Sequence, residues 1–427
     1  MRGAPLFNMK LRHLGWLILL LTVTTTVRSE DWREFRGPTG QGHSLAKNLP
    51  VSWSDRENVT WAVDIPGEGW SSPILVGDRI FVTTAVGSSD DPDSRNRSLR
   101  TICLQAGSGE TLWDVEVFQQ QHDSTSRIHG KNSHASPTPI SDGEFVFVHF
   151  GTNGTACLTL DGKIVWKNRD VVYEPRHGSG GSPVFADDLI VVSCDGYDVQ
   201  FVVALDRKNG DIRWKKERPA TEVVKRFAFS TPLVIEVGGQ KQIISTGANS
   251  VVAYDPADGS EIWMVKHPGY SVVPRPVYAH GLVFICTSFD RSHLLAIRPD
   301  GAGDVTDTHV AWQTARAVPH TPSLLVIGDD LYAISDKGIA SCLDAASGEV
   351  RWTERVGGNF SASPLYADGR IYLLSEEGEA TIIEPGSEYV EVARNNVNAR
   401  TLASYAVVDS ALLVRTESQL LRIENQD

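Results

Sequence analysis

The sequence predicts an all-β protein built as an eight-bladed β-propeller. One short pattern recurs eight times: a small residue and usually a proline, an apolar run, a turn with Gly or Asp, and a second apolar run. Tryptophan recurs at a similar interval, and the last repeat is too short for four strands. A unit of this length cannot bury its own apolar faces, so the repeats must stack on one another around an axis.

The eight repeats read as hairpins that form the inner part of successive blades. Proline has no N–H to give to a β-ladder, and the start of a strand is one of the few sheet positions that accepts it. We therefore expect the innermost strand to open at the prolines numbered 73, 137, 183, 232, 276, 322 and 364. The hairpins cover residues 73–82, 137–148, 183–192, 232–244, 276–285, 322–334, 364–374 and 405–414.

Tryptophan marks the point where the fourth strand of a blade begins. The residues before it are turns rich in Gly and Asp, which tolerate the positive φ that hairpins need. A large apolar side chain at this point packs one sheet on the next. The residues are Trp61, Trp113, Trp166, Trp214, Trp263, Trp312 and Trp352.

The last blade needs a strand from the N-terminal part of the chain. Residues 403–423 hold three strands and no closing tryptophan, whereas residues 59–63 hold a strand and Trp61 with no blade before them. We expect the early strand to complete the eighth blade, because this closure leaves no open sheet edge at the seam.

The chain divides into three segments: a signal peptide (1–29), an N-terminal arm (30–58) and the propeller (59–427). Basic residues precede the apolar run 14–21, which is short for a membrane span, and the expected cleavage follows Ser29. An uncleaved anchor is the alternative. We expect a secreted or periplasmic protein, a monomer with no transmembrane span once it is cleaved.

Charge and cysteine content exclude several classes. With 40 basic and 53 acidic residues the net charge is −13, which argues against nucleic acid as the main partner. Five cysteines form no C-x-x-C pair, so we interpret them as small apolar core residues. They are Cys103, Cys157, Cys194, Cys286 and Cys342.

Cationic residues cluster in the segments before the inner strands, which face the mouth of the central channel. One hypothesis is an axial basin that binds a small anion or an acidic segment of a partner. The alternative is a solvated rim whose cations pair with nearby carboxylates. If the basin binds an anion, neutralising two of its arginines, Arg176 and Arg275, should weaken binding without loss of stability. The candidates are His129, Lys131, His134, Arg176, His177, Lys225, Arg226, Arg275, His320 and Arg400.

Catalytic and metal motifs are not visible. The spacing of His129, His134 and His149 matches no zinc motif, so we predict no metal. The Gly-rich stretch 178–181 lacks the frame of a nucleophile elbow and follows no P-loop pattern.

The repeat resembles the pyrroloquinoline-quinone-like (PQQ-like, WD40-like) propeller repeat. The resemblance rests on segments such as Ala135-Ser136-Pro137 leading to Trp166, and Ala362-Ser363-Pro364 after the Gly348-to-Trp352 turn, and it covers Trp61 to Ile423. Quinoprotein dehydrogenases and the outer-membrane assembly factor B (BamB) family share this repeat. Residues 31–38 also resemble an arm of secreted PQQ-like repeat proteins.

The resemblance implies two functions. Quinoprotein enzymes hold the quinone between a tryptophan floor and a vicinal disulfide, beside a Ca²⁺ ion. This chain has no adjacent cysteines, and Trp70 is its one tryptophan expected at the mouth. BamB-family proteins are lipoproteins that act in outer-membrane assembly as non-catalytic scaffolds, but a lipobox cysteine is not seen here.

Our first hypothesis is a binding or assembly scaffold that needs no cofactor and takes a protein partner or small anion at its axial face. The rival is a PQQ- and Ca²⁺-dependent dehydrogenase with the quinone on the axis.

Overall fold

A computed structural model describes residues 1, 3–4, 31–54, 57–87, 96–121, 128–219, 225–290, 292–316 and 318–426. The signal peptide predicted over residues 1–29 falls almost wholly outside these residues. No helix in the described ranges is long and apolar enough to cross a membrane.

The predicted eight-bladed propeller is confirmed. Each blade is a sheet of antiparallel strands that follow one another outward from the axis. The first four blades comprise Ile74–Val76, Arg79–Gly87, Arg97–Gln105 and Thr111–Gln120 (blade 1); Ile140–Ser141, Phe145–His149, Thr155–Thr159 and Ile164–Asn168 (blade 2); Val184–Ala186, Leu189–Asp195, Gln200–Asp206 and Ile212–Glu217 (blade 3); Leu233–Val237, Gln240–Thr246, Ser250–Tyr254 and Glu261–Lys266 (blade 4).

The remaining blades complete the ring. They comprise Val277–Ala279, Leu282–Cys286, Leu294–Ile297 and Val310–Thr314 (blade 5); Leu325–Ile327, Asp330–Ile334, Ile339–Asp344 and Val350–Arg355 (blade 6); Leu365–Ala367, Arg370–Leu374, Glu379–Glu384 and Val390–Asn396 (blade 7); Ala406–Val408, Ala411–Arg415, Gln419–Ile423 and Val59–Asp64 (blade 8). A fifth short strand, Gly303–Asp304, pairs in parallel with the outer strand of blade 4. The helices are a four-residue α-helix, Thr306–His309, and a 3₁₀ turn, Gly151–Asn153.

Burial follows from the position of each strand in its blade. The second strands are mostly buried along their length because neighbouring blades cover both of their faces, as in Phe145–His149. Outer strands alternate between half-buried and exposed residues, as in Ile164–Asn168. All five cysteines are buried, as expected of small core residues. Burial raises the pKa of Cys103 and Cys157 to about 12.

The predicted closing strand is confirmed at the seam. Val59–Asp64 pairs antiparallel with the last strand of the chain, with Trp61 opposite Arg422 and Val63 opposite Leu420. A buried arginine adds a second link between blades 8 and 1. The Arg415 guanidinium donates to the carbonyl oxygen of Ser71 at 3.0 Å and to that of Thr83 at 2.9 Å.

The tryptophans pack blade on blade, as predicted. Each lies third in its outer strand, and six donate their indole N–H to a backbone carbonyl of the next blade at 2.9 to 3.1 Å. In blade 2 the receiving turn holds Gly162 with φ of 82°, where a Cβ would lie 2.7 Å from the Trp113 ring. Trp263 instead donates to Gln242 Oε1 in its own blade at 2.8 Å, because the Gly303–Asp304 segment covers its outer strand.

The prediction that proline opens every inner strand is wrong in two blades. The inner strands of blades 2 and 6 begin at Ile140 and Leu325, so Pro137 and Pro322 lie three residues too early. Pro139 and Leu324 occupy the position that Pro73 has in blade 1. In blade 2 a second small-residue and proline pair follows the first just ahead of the strand, whereas in blade 6 a leucine takes the place of that proline.

The N-terminal arm threads the centre of the ring. Trp32 forms an antiparallel bridge with Leu75 on the inner strand of blade 1, and His43 forms a parallel bridge with Tyr366 on the inner strand of blade 7. Between these bridges, the fully buried Arg36 donates to the carbonyl oxygen of Leu324 at 2.7 Å. The arm therefore crosses from blade 1 to blade 7 and blocks the channel.

Candidate functional site

A cavity of about 520 Å³ lies on the propeller axis, and we call it the axial cup. Every one of the eight connections between blades contributes to its lining, which places it at the mouth predicted from the sequence. Its volume falls within the roughly 300–1,000 Å³ usual for small-ligand sites. Phe35 of the N-terminal arm also lines the cup, so the arm that crosses the channel forms part of the floor of the cup.

The rest of the floor is a ring of hydroxyl groups, here called the hydroxyl ring. Each member lies two residues before the inner strand of its blade, and each is buried. Six members accept a hydrogen bond from the backbone N–H of the preceding blade's equivalent residue, at 2.9 to 3.0 Å. The members are Ser72, Thr138, Ser182, Thr231, Ser323, Ser363 and Ser404.

Blade 5 breaks the ring, because Arg275 takes the place of the hydroxyl residue. Its backbone N–H still donates to Ser323 Oγ at 3.0 Å. Its side chain is buried against the arm: Nη1 donates to the carbonyl oxygen of Phe35 at 2.7 Å, and Nη2 lies 2.9 Å from Glu34 Oε2. Arg275 therefore fixes the segment of the arm that closes the floor.

An arc of aromatic rings forms one side of the wall. Each ring meets the next at centroid distances of 5.4 to 6.1 Å, mostly edge to face, so the arc is continuous across blades 2 to 5. Trp70 and Phe229 add two more rings to the lining. The members of this aromatic arc are His129, His177, Phe227, Tyr270 and Phe289.

Residues 129–132, here called the strap, reach across the mouth. Lys131 Nζ lies 2.6 Å from Glu376 Oε1 on blade 7. Arg400, in the connection from blade 7 to blade 8, donates from Nη2 to the carbonyl oxygen of Gly130 at 2.6 Å. These two contacts narrow the entrance on the side opposite the aromatic arc.

Three of the ten predicted site residues line the axial cup: His129, Lys131 and His177. Three more touch the aromatic lining without lining the cup. Lys225 Nζ lies 4.6 Å from the ring centroid of Tyr270, the His320 ring meets Phe289 at 5.1 Å, and the Arg400 guanidinium lies 5.5 Å from the Trp70 centroid. Trp70 itself lies at the mouth, as expected.

The other four predicted residues do not line the cup. Arg275 is buried beneath the arm, and Arg176 lies 5.2 Å from the ring centroid of Tyr197. His134 and Arg226 are not among the residues that line the cup. Burial and the nearby charge of Arg97 lower the pKa of His134, which favours its neutral form.

The cations around the mouth are paired with carboxylates or rings. Lys131 pairs with Glu376, and Lys225 lies 3.9 Å from Asp290 Oδ1. A hydrogen bond to the Tyr270 hydroxyl and the charge of Asp290 raise the pKa of Lys225. These carboxylates partly offset the positive potential that the sequence predicts at the mouth.

The aromatic residues of the cup were missed from sequence. Phe227, Tyr270 and Phe289 lie in or near the same connections that were searched for charge. Their positions in the sequence could have revealed them. Four successive connections between blades, from blade 1 to blade 5, each carry one aromatic ring ahead of the inner strand: His129, His177, Phe227 and Tyr270.

The cup offers few groups for acid–base or metal chemistry. Its carboxylate is Asp336, whose oxygens accept the Thr321 hydroxyl at 2.7 Å and the backbone N–H of His320 at 2.7 Å. Among the described residues, no group of three or more His, Cys, Asp or Glu side chains is placed to hold a metal ion. The arrangement is a pocket with an oxygen-rich floor and an aromatic wall.

Comparison with known proteins supports both the fold and the family. Residues 97–300 and 301–419 match the family model PQQ_2, described as outer membrane protein assembly factor BamB. A polyvinylalcohol dehydrogenase from a Pseudomonas species is 22% identical over 357 residues, which cover 78% of this chain and 46% of the relative. The chain thus spans about half the length of that relative.

Two solved structures are similar in fold. BamB from Moraxella catarrhalis aligns with a TM-score of 0.62 at 12% identity, over 86% of this chain and 97% of that one. A europium-containing methanol dehydrogenase aligns with a TM-score of 0.62 at 10% identity, over 92% of this chain and 89% of that one.

Proposed function

The chain belongs to the family described as outer membrane protein assembly factor BamB, and from this premise we propose that it is a non-catalytic binding protein that holds a small ligand in the axial cup. The observation that carries the proposal is the floor of the cup. The contacts between blades use only the oxygens of these hydroxyls as acceptors, so their protons are left for a ligand, and a binding pocket needs a closed end with such hydrogen-bonding groups.

We further propose that the protein acts outside the cytoplasm. Two features support this location: the basic and apolar pattern of residues 1–29, and membership of a family described by an outer-membrane role.

The rival function is quinone-dependent oxidation, and the residues of the cup do not fit the cofactor site that the resemblance implies. A Ca²⁺ ion needs several oxygen ligands. Asp336 already accepts hydrogen bonds from the Thr321 hydroxyl and from two backbone N–H groups. The Asn132 amide donates to the His177 carbonyl and accepts from the Ser133 N–H. The cysteines are not adjacent in sequence.

The test compares ligand binding with oxidation in the full chain. Thermal unfolding is followed with a panel of neutral and anionic metabolites, and separately with PQQ and Ca²⁺ plus a dye-linked assay on methanol and polyvinyl alcohol. We expect at least one metabolite to raise Tm, because a ligand that binds only the folded state stabilises it. We expect no dye reduction.

A matched pair of variants locates the binding site. Ser361 lines the cup and is half-buried, so Ser361→Trp should fill the cavity and abolish the Tm shift, while Ser361→Ala should keep it. Dye reduction that depends on PQQ, or a Tm shift that survives Ser361→Trp, would contradict the proposed function.

A further inference from the structure

We infer that the ligand of the axial cup is a neutral carbohydrate, held with its oxygen atoms on the hydroxyl ring and a C–H face against the aromatic arc. This inference rests on the proposed binding function and names the substrate class of that same site.

The hydroxyl ring is a set of unused hydrogen-bond donors. Six of its hydroxyl oxygens each accept one backbone N–H. A hydroxyl also carries a proton to donate, and none of these six protons has an acceptor among the described residues. The ring therefore presents O–H groups that a ligand rich in oxygen acceptors would satisfy.

Ser72 gives an independent indication of a ligand. Ser72 is only 2% exposed and lines the cup, yet its Oγ makes no hydrogen bond within the described residues. Because Ser72 Oγ is open to the cavity and has no protein partner among the described residues, a molecule bound in the cup can supply the hydrogen bond that this hydroxyl lacks.

The aromatic arc fits a ring with C–H groups on its face. Aromatic faces carry negative charge density, which attracts the slightly positive hydrogens of C–H bonds. Phe289 is 50% exposed although it is a large apolar residue. Phe289 ends a contiguous series of contacting rings, and a contiguous apolar surface rimmed by polar residues is typical of a ligand-binding site.

Charge decides between a neutral and an anionic ligand. An anion would need positive groups free to pair with it. Lys131 is engaged by Glu376, Lys225 by Asp290, and Arg275 by Glu34. Because these cations are already offset by carboxylates, the cup favours a ligand that bears hydroxyl and ether oxygens and no net charge.

The test is calorimetric titration of the full chain with cellobiose and maltose, and with citrate as the anionic comparison, at low and high salt. We expect at least one disaccharide to bind with no dependence on salt. Ser72→Ala should weaken that binding about 3- to 10-fold, since one hydrogen bond is lost. Phe289→Ala should weaken it by a similar factor.

Phe289→Tyr is the matched control, because it keeps the aromatic ring and should bind as the wild type does. Neither main variant endangers folding: Ser72 Oγ has no protein partner to lose, and Phe289 is half exposed. Disaccharide binding that is equal in wild type, Ser72→Ala and Phe289→Ala would overturn the inference, as would no disaccharide binding at all. Salt-dependent binding of citrate alone would overturn the carbohydrate class but leave the binding function in place.

Discussion

Removal of the Arg275 side chain should destabilise the whole propeller. Arg275 is 3% exposed and makes three charged hydrogen bonds: to the carbonyl oxygens of Pro232 and Phe35, at 3.0 and 2.7 Å, and to Glu34 Oε2 at 2.9 Å. Deleting one partner of a buried ion pair typically costs about 3 to 5 kcal/mol. Glu34 retains some contact with water, so for Arg275→Met we expect a loss of about 3 kcal/mol.

A double-mutant cycle separates the ion pair from the two carbonyl contacts. Glu34→Gln keeps the shape of the arm and should cost about 1.5 kcal/mol, the lower end for a charged hydrogen bond. The two losses should not add, because each variant removes the same Arg275–Glu34 contact. Arg275→Lys should restore only part of the stability, since Lys lacks the planar fork that reaches three acceptors.

The assay is urea unfolding followed by tryptophan fluorescence and circular dichroism, whose coincidence tests for a two-state transition. Limited proteolysis should also cut the arm, residues 31–54, sooner in Arg275→Met than in wild type. The prediction from sequence differs, because there the joint neutralisation of Arg176 and Arg275 leaves stability unchanged or slightly raised. Free energies of unfolding that agree to within about 0.5 kcal/mol, with the arm still protected, would refute the structural reasoning.

Three further predictions address the seam, pH and the strap. Trp61→Ala should cost about 3 to 5 kcal/mol in urea unfolding, because Trp61 is 9% exposed and packs blade 8 on blade 1, whereas Trp61→Phe should cost clearly less. Burial lowers the pKa of both His149 and His267 to about 4, so the unfolded state binds more protons below pH 6.5. Each of the two should lower the free energy of unfolding by roughly 3 kcal/mol between pH 6.5 and 4, and His149→Phe should remove only the His149 share of that fall. Lys131→Met removes the contact with Glu376 and should change stability by less than about 1 kcal/mol, yet stopped-flow measurements should show faster ligand release; an unchanged release rate would mean that the strap does not narrow the entrance.

The repeat could be predicted from sequence because periodic features specify it. Tryptophan recurs as the third residue of the outer strand in seven of the eight blades, and six of these seven tryptophans make the same contact with the next blade. At Pro137 a duplicated motif misled the prediction of the strand start, since local sequence cannot tell which of two nearby prolines opens the strand. At Pro322 the prediction failed because Leu324, not a proline, precedes the strand.

The course of the arm could not be predicted, because it depends on single long-range contacts. Trp32 pairs with Leu75, and Arg275 reaches Phe35 across 240 positions of sequence. No periodicity marks such pairs. Charge at the mouth was visible in sequence, but whether Lys131 is free or paired depends on Glu376, which a distant blade supplies.

A crystal structure of the chain with the compound that stabilises it most tests the central claim directly. We expect the compound in the axial cup, with its oxygen atoms within about 3.2 Å of hydroxyl-ring oxygens and with one face against the aromatic arc. A compound bound outside the cup, or a cup in which the ligand makes no contact with Ser72 and its neighbours in the ring, would contradict the claim that this floor is a binding site.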